Sequence, residues 1–218
     1  VITLCKDDGS LGAMVEIRCE TEPVAKNDDF VFFSDQLAKQ LLNGPGASTP
    51  EELLSQEAPD RPGVKLADLY DEVLNKIREN IVVARVLRVP GPVAGYSHHN
   101  GSLGVLMQVS GANAKSDVIR DVAMHIAALN PKVTFPAELN QADVEVEQGK
   151  QLEDAKKSGK PEAIWEKIIA GKMRIWYANE GVLVEQPFAK DDTKTVAQAL
   201  AAAGLTAVGF TRWRLGQA

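Results

Sequence analysis

Few residues of this chain have a type and spacing that could do chemistry. His98 and His99 are adjacent, and a pair of imidazoles could hold a metal or pass a proton. Adjacent residues on a strand point to opposite faces, so one metal would not readily take both. His125 sits in "AMHIAA" among apolar neighbours, where a histidine satisfied in or near the core is a better account than a ligand. Cys5 and Cys19 lack the paired spacing of a zinc site. The sequence contains no GxxxxGK[ST] loop, no GxGxxG after a strand and no nucleophile elbow, so catalysis is not the reading it favours. Two GSLG segments, at Gly9 and Gly101, formally match the loop with which KH domains clamp RNA. Each opens a strand, however, and glycines that support a turn or bulge account for them better. What remains is "CETEPVAKNDDF", directly after the alternating run "GAMVEIR". It reads as a short, rigid, acidic corner at the end of a strand. Such a corner either turns the chain or is pushed into a partner.

The 218 residues, 44% hydrophobic and 25% charged, are enough to bury a core in one or two domains. A net charge of −6 argues against broad nucleic-acid binding, which needs basic surface to neutralise phosphates. Two cysteines make no disulfide framework, which points to a reducing compartment. No apolar run approaches the roughly 20 residues that span a bilayer, so no membrane contact is expected. The chain opens at Val1, already inside the run "VITL", and is therefore expected to be a fragment or processed form.

The elements that must position the corner come from an internal repeat. "VITLCKDDGSLGAMVEIRC" aligns with "VAGYSHHNGSLGVLMQVSG", Gly9 falling on Gly101. Each copy predicts an antiparallel hairpin turned at Asp-Gly or Asn-Gly. A helix follows in each, marked by Phe33, Leu37 and Leu41 in one copy and by Val118, Val122 and Ile126 in the other. Asn43-Gly44-Pro45 and Asn130-Pro131 end these helices. After further helix, a third strand is expected over residues 80–89 and 207–215. Between Pro136 and Ala178 the second copy carries an insertion rich in Glu, Lys, Gln and Ala, broken by "KKSGKP". It predicts an antiparallel helical hairpin projecting from the body. Leu139, Val144, Val146 and Leu152 form its apolar positions on one side, and Ile164, Trp165, Ile168 and Ile169 on the other. That stripe either packs on itself or supports self-association. The fold class is α+β, with residues 1–90 as the first repeat, 91–136 and 179–218 as the second, and 137–178 as the hairpin.

With these segments in view, the chain resembles translation elongation factor Ts, the guanine-nucleotide exchange factor for elongation factor Tu. "VEIRCETEPVAKNDDF" is similar to the family's VxxNCETDFVARNxxF, "RENIVVARV" to GENIxxRR, and "GYSHHNGSLGVLMQVSG" to SYxHxxGRIGVLV. "DVAMHIAALNP", "SGKPEAIWEKIIAGKM" and "VLVEQPFAKDDTKTV" match three further family stretches in family order. The family usually begins with a small helical domain, and the sequence is expected to be a form without it.

The resemblance implies a non-enzymatic exchange factor of the bacterial cytoplasm, or of an organelle matrix or stroma, that needs no cofactor or metal and touches no nucleic acid directly. Its partner would be elongation factor Tu. The segment matching Thr21, Glu22, Pro23 and Val24 would press on the G domain and disturb the site of Mg2+ and the nucleotide phosphates. Further contacts carried over are Ile77 and Arg78, Tyr96 and His98, and Ala189 and Lys190, with core packing as the competing role of Tyr96 and Phe188. The sequence departs from the family at Glu22, where it has aspartate, at Pro23, where it has phenylalanine, and at Arg78, where it often has glycine. Thr21 is expected to cap the short helix, with Pro23 tolerated in its first turn. Pro23 could be a lesser wedge, could meet a compensating pocket in the partner, or could only shape the corner. The alternative function is an elongation factor Tu binder with weak or no exchange activity.

Overall fold

The computed structural model describes residues 1–113 and 116–217. The first repeat runs β1 (Ile2–Cys5), β2 (Leu11–Arg18), α1 (Glu22–Ala25), α2 (Asp28–Asn43), α3 (Pro50–Leu54), β3 (Glu57–Ala58), β4 (Arg61–Lys65), α4 (Leu66–Ile77) and β5 (Val82–Pro90). The second begins with β6 (Val93–Ser97), β7 (Leu103–Gly111) and α5 (Asp117–Leu129). It is interrupted by α6 (Gln141–Lys157) and α7 (Trp165–Asn179), and finishes with β8 (Pro187–Phe188), β9 (Asp191–Thr195), α8 (Val196–Ala202) and β10 (Leu205–Arg214). The architecture is α+β, and every named strand pairs antiparallel.

Each repeat makes a three-stranded sheet with its second strand in the middle, in the orders β1-β2-β5 and β10-β7-β6. The alternation of β2 sends Ala13, Val15 and Ile17 beneath the helices and Met14 to the opposite face. In β7, Val105, Met107 and Val109 lie under the helices and Leu106 faces the other way. Those opposite faces meet: Val1, Met14, Val93 and Leu106 form a third core cluster joining the two sheets. The result is a layered body of helix, sheet, sheet and helix.

The GSLG segments serve two purposes. Gly9 and Gly101 turn their hairpins at φ +70 and +69. The second glycine of each segment permits the sheets to approach. A Cβ on Gly12 would stand 2.9 Å from Leu106 Cδ2, and one on Gly104 would stand 2.5 Å from Thr3 Oγ1. The turn was visible in the sequence, whereas the packing role needed the second sheet.

Helix α2 is capped by Asn27, whose Oδ1 accepts from the amides of Asp29 and Phe30, and it stops at Asn43. Phe33, Leu37 and Leu41 are fully buried against the first sheet, each burial stabilising by roughly 1.5–3 kcal/mol. Helix α5 is capped by Ser116 and leaves through Asn130 at φ +50. Its Val122 and Ile126 are equally buried, while Val118 is only partly so.

The third strands begin at Val82 and Leu205, within a few residues of the expected positions. Both carry a bulge at the same place, where Ala84 and Val208 are skipped in the pairing with β2 and β7. The two-stranded ribbons β3-β4 and β8-β9 were not expected. One strand of each ribbon has only two residues and so no alternation to read. In the projecting hairpin, Val144 and Met173 are buried with Gln151 and Ala155, and Val146, Leu152 and Ile164 are exposed. The apolar positions named from the sequence thus divide between the inside and the outside rather than forming one stripe.

Candidate functional site

The corner after β2 is built outward from one buried anchor. Val24 is 7% exposed and belongs to the first core, while Thr21, Glu22 and Pro23 stand in solvent. Helix α1 is a single turn with Pro23 near its start, where a missing N–H costs no intrahelical bond. Glu22 pairs with Lys26 at 2.7 Å, and both side chains are exposed. The hydrogen bond and charge of Lys26 hold the Glu22 carboxyl below its ordinary value. Thr21 occupies the N-cap position, but its side chain does not cap the helix. Its hydroxyl donates instead to the carboxylate of Glu79, at 2.9 Å to Oε1 and 3.1 Å to Oε2. The expectation of a threonine cap is therefore corrected: the side chain donates to Glu79, 58 residues away, and accepts from no amide of α1.

Glu79 comes from the end of α4. Arg78 leaves that helix in the left-handed region, φ +60 and ψ +30, its N–H bonded to the Leu74 carbonyl. The preceding Ile77 is half-buried against the first core. With Pro23, Val24, Asn27, Asp29 and Lys76, it lines a shallow groove of about 330 Å³. Lys76 and Asp29 close a 2.8 Å ion pair across it. Thr21, Glu22, Pro23 and Val24 therefore form one surface with Ile77 and Arg78.

The second group lies on the other repeat. Tyr96 is partly buried against the second core, and its hydroxyl is 3.0 Å from His98 Nδ1. His98 and His99 stand past the end of β6, and their rings approach to 4.3 Å between centroids. The expectation that strand alternation would separate them is corrected, because both belong to the turn. Tyr96 and His98 line a groove of about 270 Å³ with Leu103, Met124 and Arg214. No group of three histidine, cysteine or acidic side chains that could hold a metal occurs among the described residues.

Ala189 and Lys190 are exposed in the turn between β8 and β9. Phe188, beside them, is buried in the second core. Lys190 is paired with Asp121 of α5 at 2.6 Å. The Ala189 amide donates to His125 Nδ1 at 3.2 Å, which leaves Nε2–H to donate to Gln186 Oε1 at 2.9 Å. His125 is 1% exposed, and burial lowers its pKa, with the Gln186 bond opposing. It is a satisfied core histidine that also fixes the backbone of a candidate contact. Met124, its neighbour on α5, lines the Tyr96 groove, so one helix serves both parts of this surface.

Sequence reading did not find Glu79 as the holder of Thr21 or Gln186 as the partner of His125. The second could have been found from the repeat. Gln40 precedes Leu41 as His125 precedes Ile126, and Gln40 Nε2 donates to Gln56 Oε1 at 2.9 Å. In each repeat a polar side chain of the long helix holds the glutamine that precedes the small ribbon.

No helix is long and apolar enough to cross a membrane among the described residues. A family model described as elongation factor TS matches residues 20–217. The chain is 40% identical to elongation factor Ts of Hyphomonas neptunium, covering 97% of this chain and 71% of that protein. It is 37% identical to elongation factor Ts of a Hydrogenobaculum species, over 99% of this chain and 78% of the relative. With that of Paenarthrobacter aurescens it shares 39% identity over the same two proportions.

Proposed function

The chain belongs to the elongation factor Ts family and is a translation elongation factor, and from this premise we propose that it promotes GDP release and GTP loading on elongation factor Tu in the bacterial cytoplasm. The observation that carries the reading is the corner itself. Glu22 and Pro23 project into solvent from a single helical turn anchored by buried Val24 and tied by Thr21 to Glu79. A tip so held can displace a neighbouring surface rather than yield to it.

The target of that displacement is the seat of the bound diphosphate. Phosphates are held there by backbone N–H groups and by a magnesium ion that demands near-octahedral geometry, so small shifts weaken the nucleotide. Linkage supplies the rest: a partner that binds nucleotide-free elongation factor Tu more tightly than the GDP form lowers GDP affinity by the same factor. No bond is made or broken. Ile77 and Arg78 extend the contact around the corner, and Tyr96, His98, Ala189 and Lys190 form a second contact on the other repeat. In this reading residues 1–90 deliver the corner, residues 91–136 with 179–218 give the second grip, and residues 137–178 are a separate arm.

Pro23 makes the wedge a rigid ring smaller than the family's phenylalanine, and the backbone of α1 bears more of the displacement. Stopped-flow release of labelled GDP from the cognate elongation factor Tu tests this. Pro23→Ala is expected to slow release about tenfold with the thermal midpoint unchanged, and an unchanged rate removes Pro23 from the mechanism. The second reading, binding without exchange, is favoured by the Glu22–Lys26 pair, which satisfies the carboxylate within the chain. Complex formation with no acceleration of GDP release by the wild-type chain would establish it.

A further inference from the structure

The hydroxyl of Thr21 spans two segments that the local folding of either does not require to meet. Helix α1 has four residues and no side-chain cap. A single turn fixes many dihedrals for few hydrogen bonds and does not hold itself in water. Something outside the helix must set its direction. Burial of Val24 anchors one side, and Cys19 Sγ reaches the Thr21 carbonyl at 3.4 Å. The remaining tie is the Glu79 carboxylate, which accepts the Thr21 hydroxyl with both oxygens.

The neighbouring polar groups already have other work. Glu22 is paired with Lys26, Asn27 caps α2, and Lys76 is paired with Asp29. Glu79 has no ion-pair partner among the described residues, so its carboxylate is available to the hydroxyl alone. It is presented by the left-handed exit at Arg78, which turns the chain back after α4. An ionised acceptor for a neutral hydroxyl is a stronger tie than a neutral pair would be.

We infer that Glu79 is a positioning residue: through Thr21 its carboxylate fixes the direction in which the Glu22–Pro23 tip meets elongation factor Tu. The inference rests on the exchange reading for its consequence, but the positioning itself is a property of the free protein and can be measured there.

The first measurement is amide hydrogen exchange on the free chain. The amides of Ala25, Lys26 and Asn27 donate to the carbonyls of Thr21, Pro23 and Val24 and report the order of the corner. Glu79→Ala is expected to speed their exchange about three- to tenfold, on the scale of one lost hydrogen bond. Glu79→Gln keeps an acceptor oxygen and should restore most of the protection, with the global unfolding midpoint of Glu79→Ala falling by no more than one such bond accounts for. The second measurement is GDP release at saturating factor, slowed by a similar factor in Glu79→Ala, with Thr21→Val/Glu79→Ala no slower than either single variant. Unchanged amide exchange in Glu79→Ala overturns the inference, as do additive losses in the double variant. A wild-type chain that binds elongation factor Tu without releasing GDP overturns the exchange reading instead, and the amide data then decide the positioning alone.

Discussion

Strands β2 and β7 hold the same central place in their sheets and face the same bulge, yet they carry different chemistry there. Glu16 in β2 is fully buried and accepts from Arg18 Nε at 2.7 Å, Arg85 Nε at 2.6 Å and the Gly216 amide at 3.0 Å. Arg85 also stacks on Trp213 and donates to the Gln217 carbonyl. Gln108 in β7 is half-buried and donates to the Pro90 carbonyl at 2.9 Å. Both residues reach from one repeat to the other, the first as a desolvated charge network and the second as a single neutral bond. The two repeats share one scaffold, and at the seam between them they carry different chemistry.

The largest expected effect breaks this contrast or confirms it. Burial would raise the Glu16 pKa, but the Gly216 amide and the guanidiniums of Arg18 and Arg85 outweigh it and hold the carboxyl below its ordinary value. Its stabilisation is therefore present above the unfolded pKa and lost as pH falls through the folded one. Glu16→Ala removes the carboxylate from two partly exposed guanidiniums and the Gly216 amide and is expected to destabilise by about 2–3 kcal/mol. Gln108→Ala removes one neutral hydrogen bond, worth about 1 kcal/mol. Urea denaturation of the two variants reads both, and equal losses would show that the charge network adds nothing beyond an ordinary bond.

Glu16 also shows why part of the molecule was legible in the sequence and part was not. Alternation along "GAMVEIR" places Glu16 on the face of Met14, away from the helices, and a carboxylate on such a face reads as solvated. Only the second sheet and the segment after β10 turn that face into an interior. The hairpins, the long helices and the third strands were legible because periodicity and turn residues are local. The corner was legible as a motif, and its tip does project. Its attachment was not, because the Thr21–Glu79 bond spans 58 residues and local pattern gives Thr21 a nearer task as a cap. The meeting of the His98 and His99 rings was missed for a smaller reason: strand alternation was applied to two residues beyond Ser97, where the strand ends.

A smaller effect sharpens the comparison within the helices. Gln40 and His125 make the same bond in the two repeats, but only His125 carries a group that can take up a proton. Burial lowers its pKa from an ordinary 6.5, so the unfolded chain takes up the proton first. Stability is full above that value and falls as pH drops. Geometry works in the same direction as burial: protonated Nδ1 would face the Ala189 N–H, donor against donor. Between pH 7 and 5 the wild type is expected to lose up to about 2 kcal/mol from this site, the most that one proton bound by the unfolded chain alone can remove over that interval. His125→Gln, which copies the Gln40–Gln56 arrangement, should flatten that slope in thermal melts across the range. A slope unchanged by the substitution would assign the acid loss elsewhere.

The smallest effect concerns the way each repeat enters its third strand. After α8 the chain turns at Gly204, φ +72, and a Cβ built there would meet nothing within 4 Å. After α4 the same left-handed turn is made by Arg78, φ +60. A side chain in that region costs roughly 1–2 kcal/mol that glycine does not incur. Gly204→Ala is expected to destabilise by about 1 kcal/mol and Arg78→Gly to stabilise by about the same amount, less the extra freedom glycine gives the unfolded chain. Denaturant midpoints read both. The decisive comparison is with binding: strain kept at a contact surface implies that Arg78→Gly gains stability while its affinity for elongation factor Tu falls about threefold or more. A variant that gains stability and binds as tightly as the wild type would make Arg78 a strained residue with no task at the interface, and would leave that contact to the corner and Ile77.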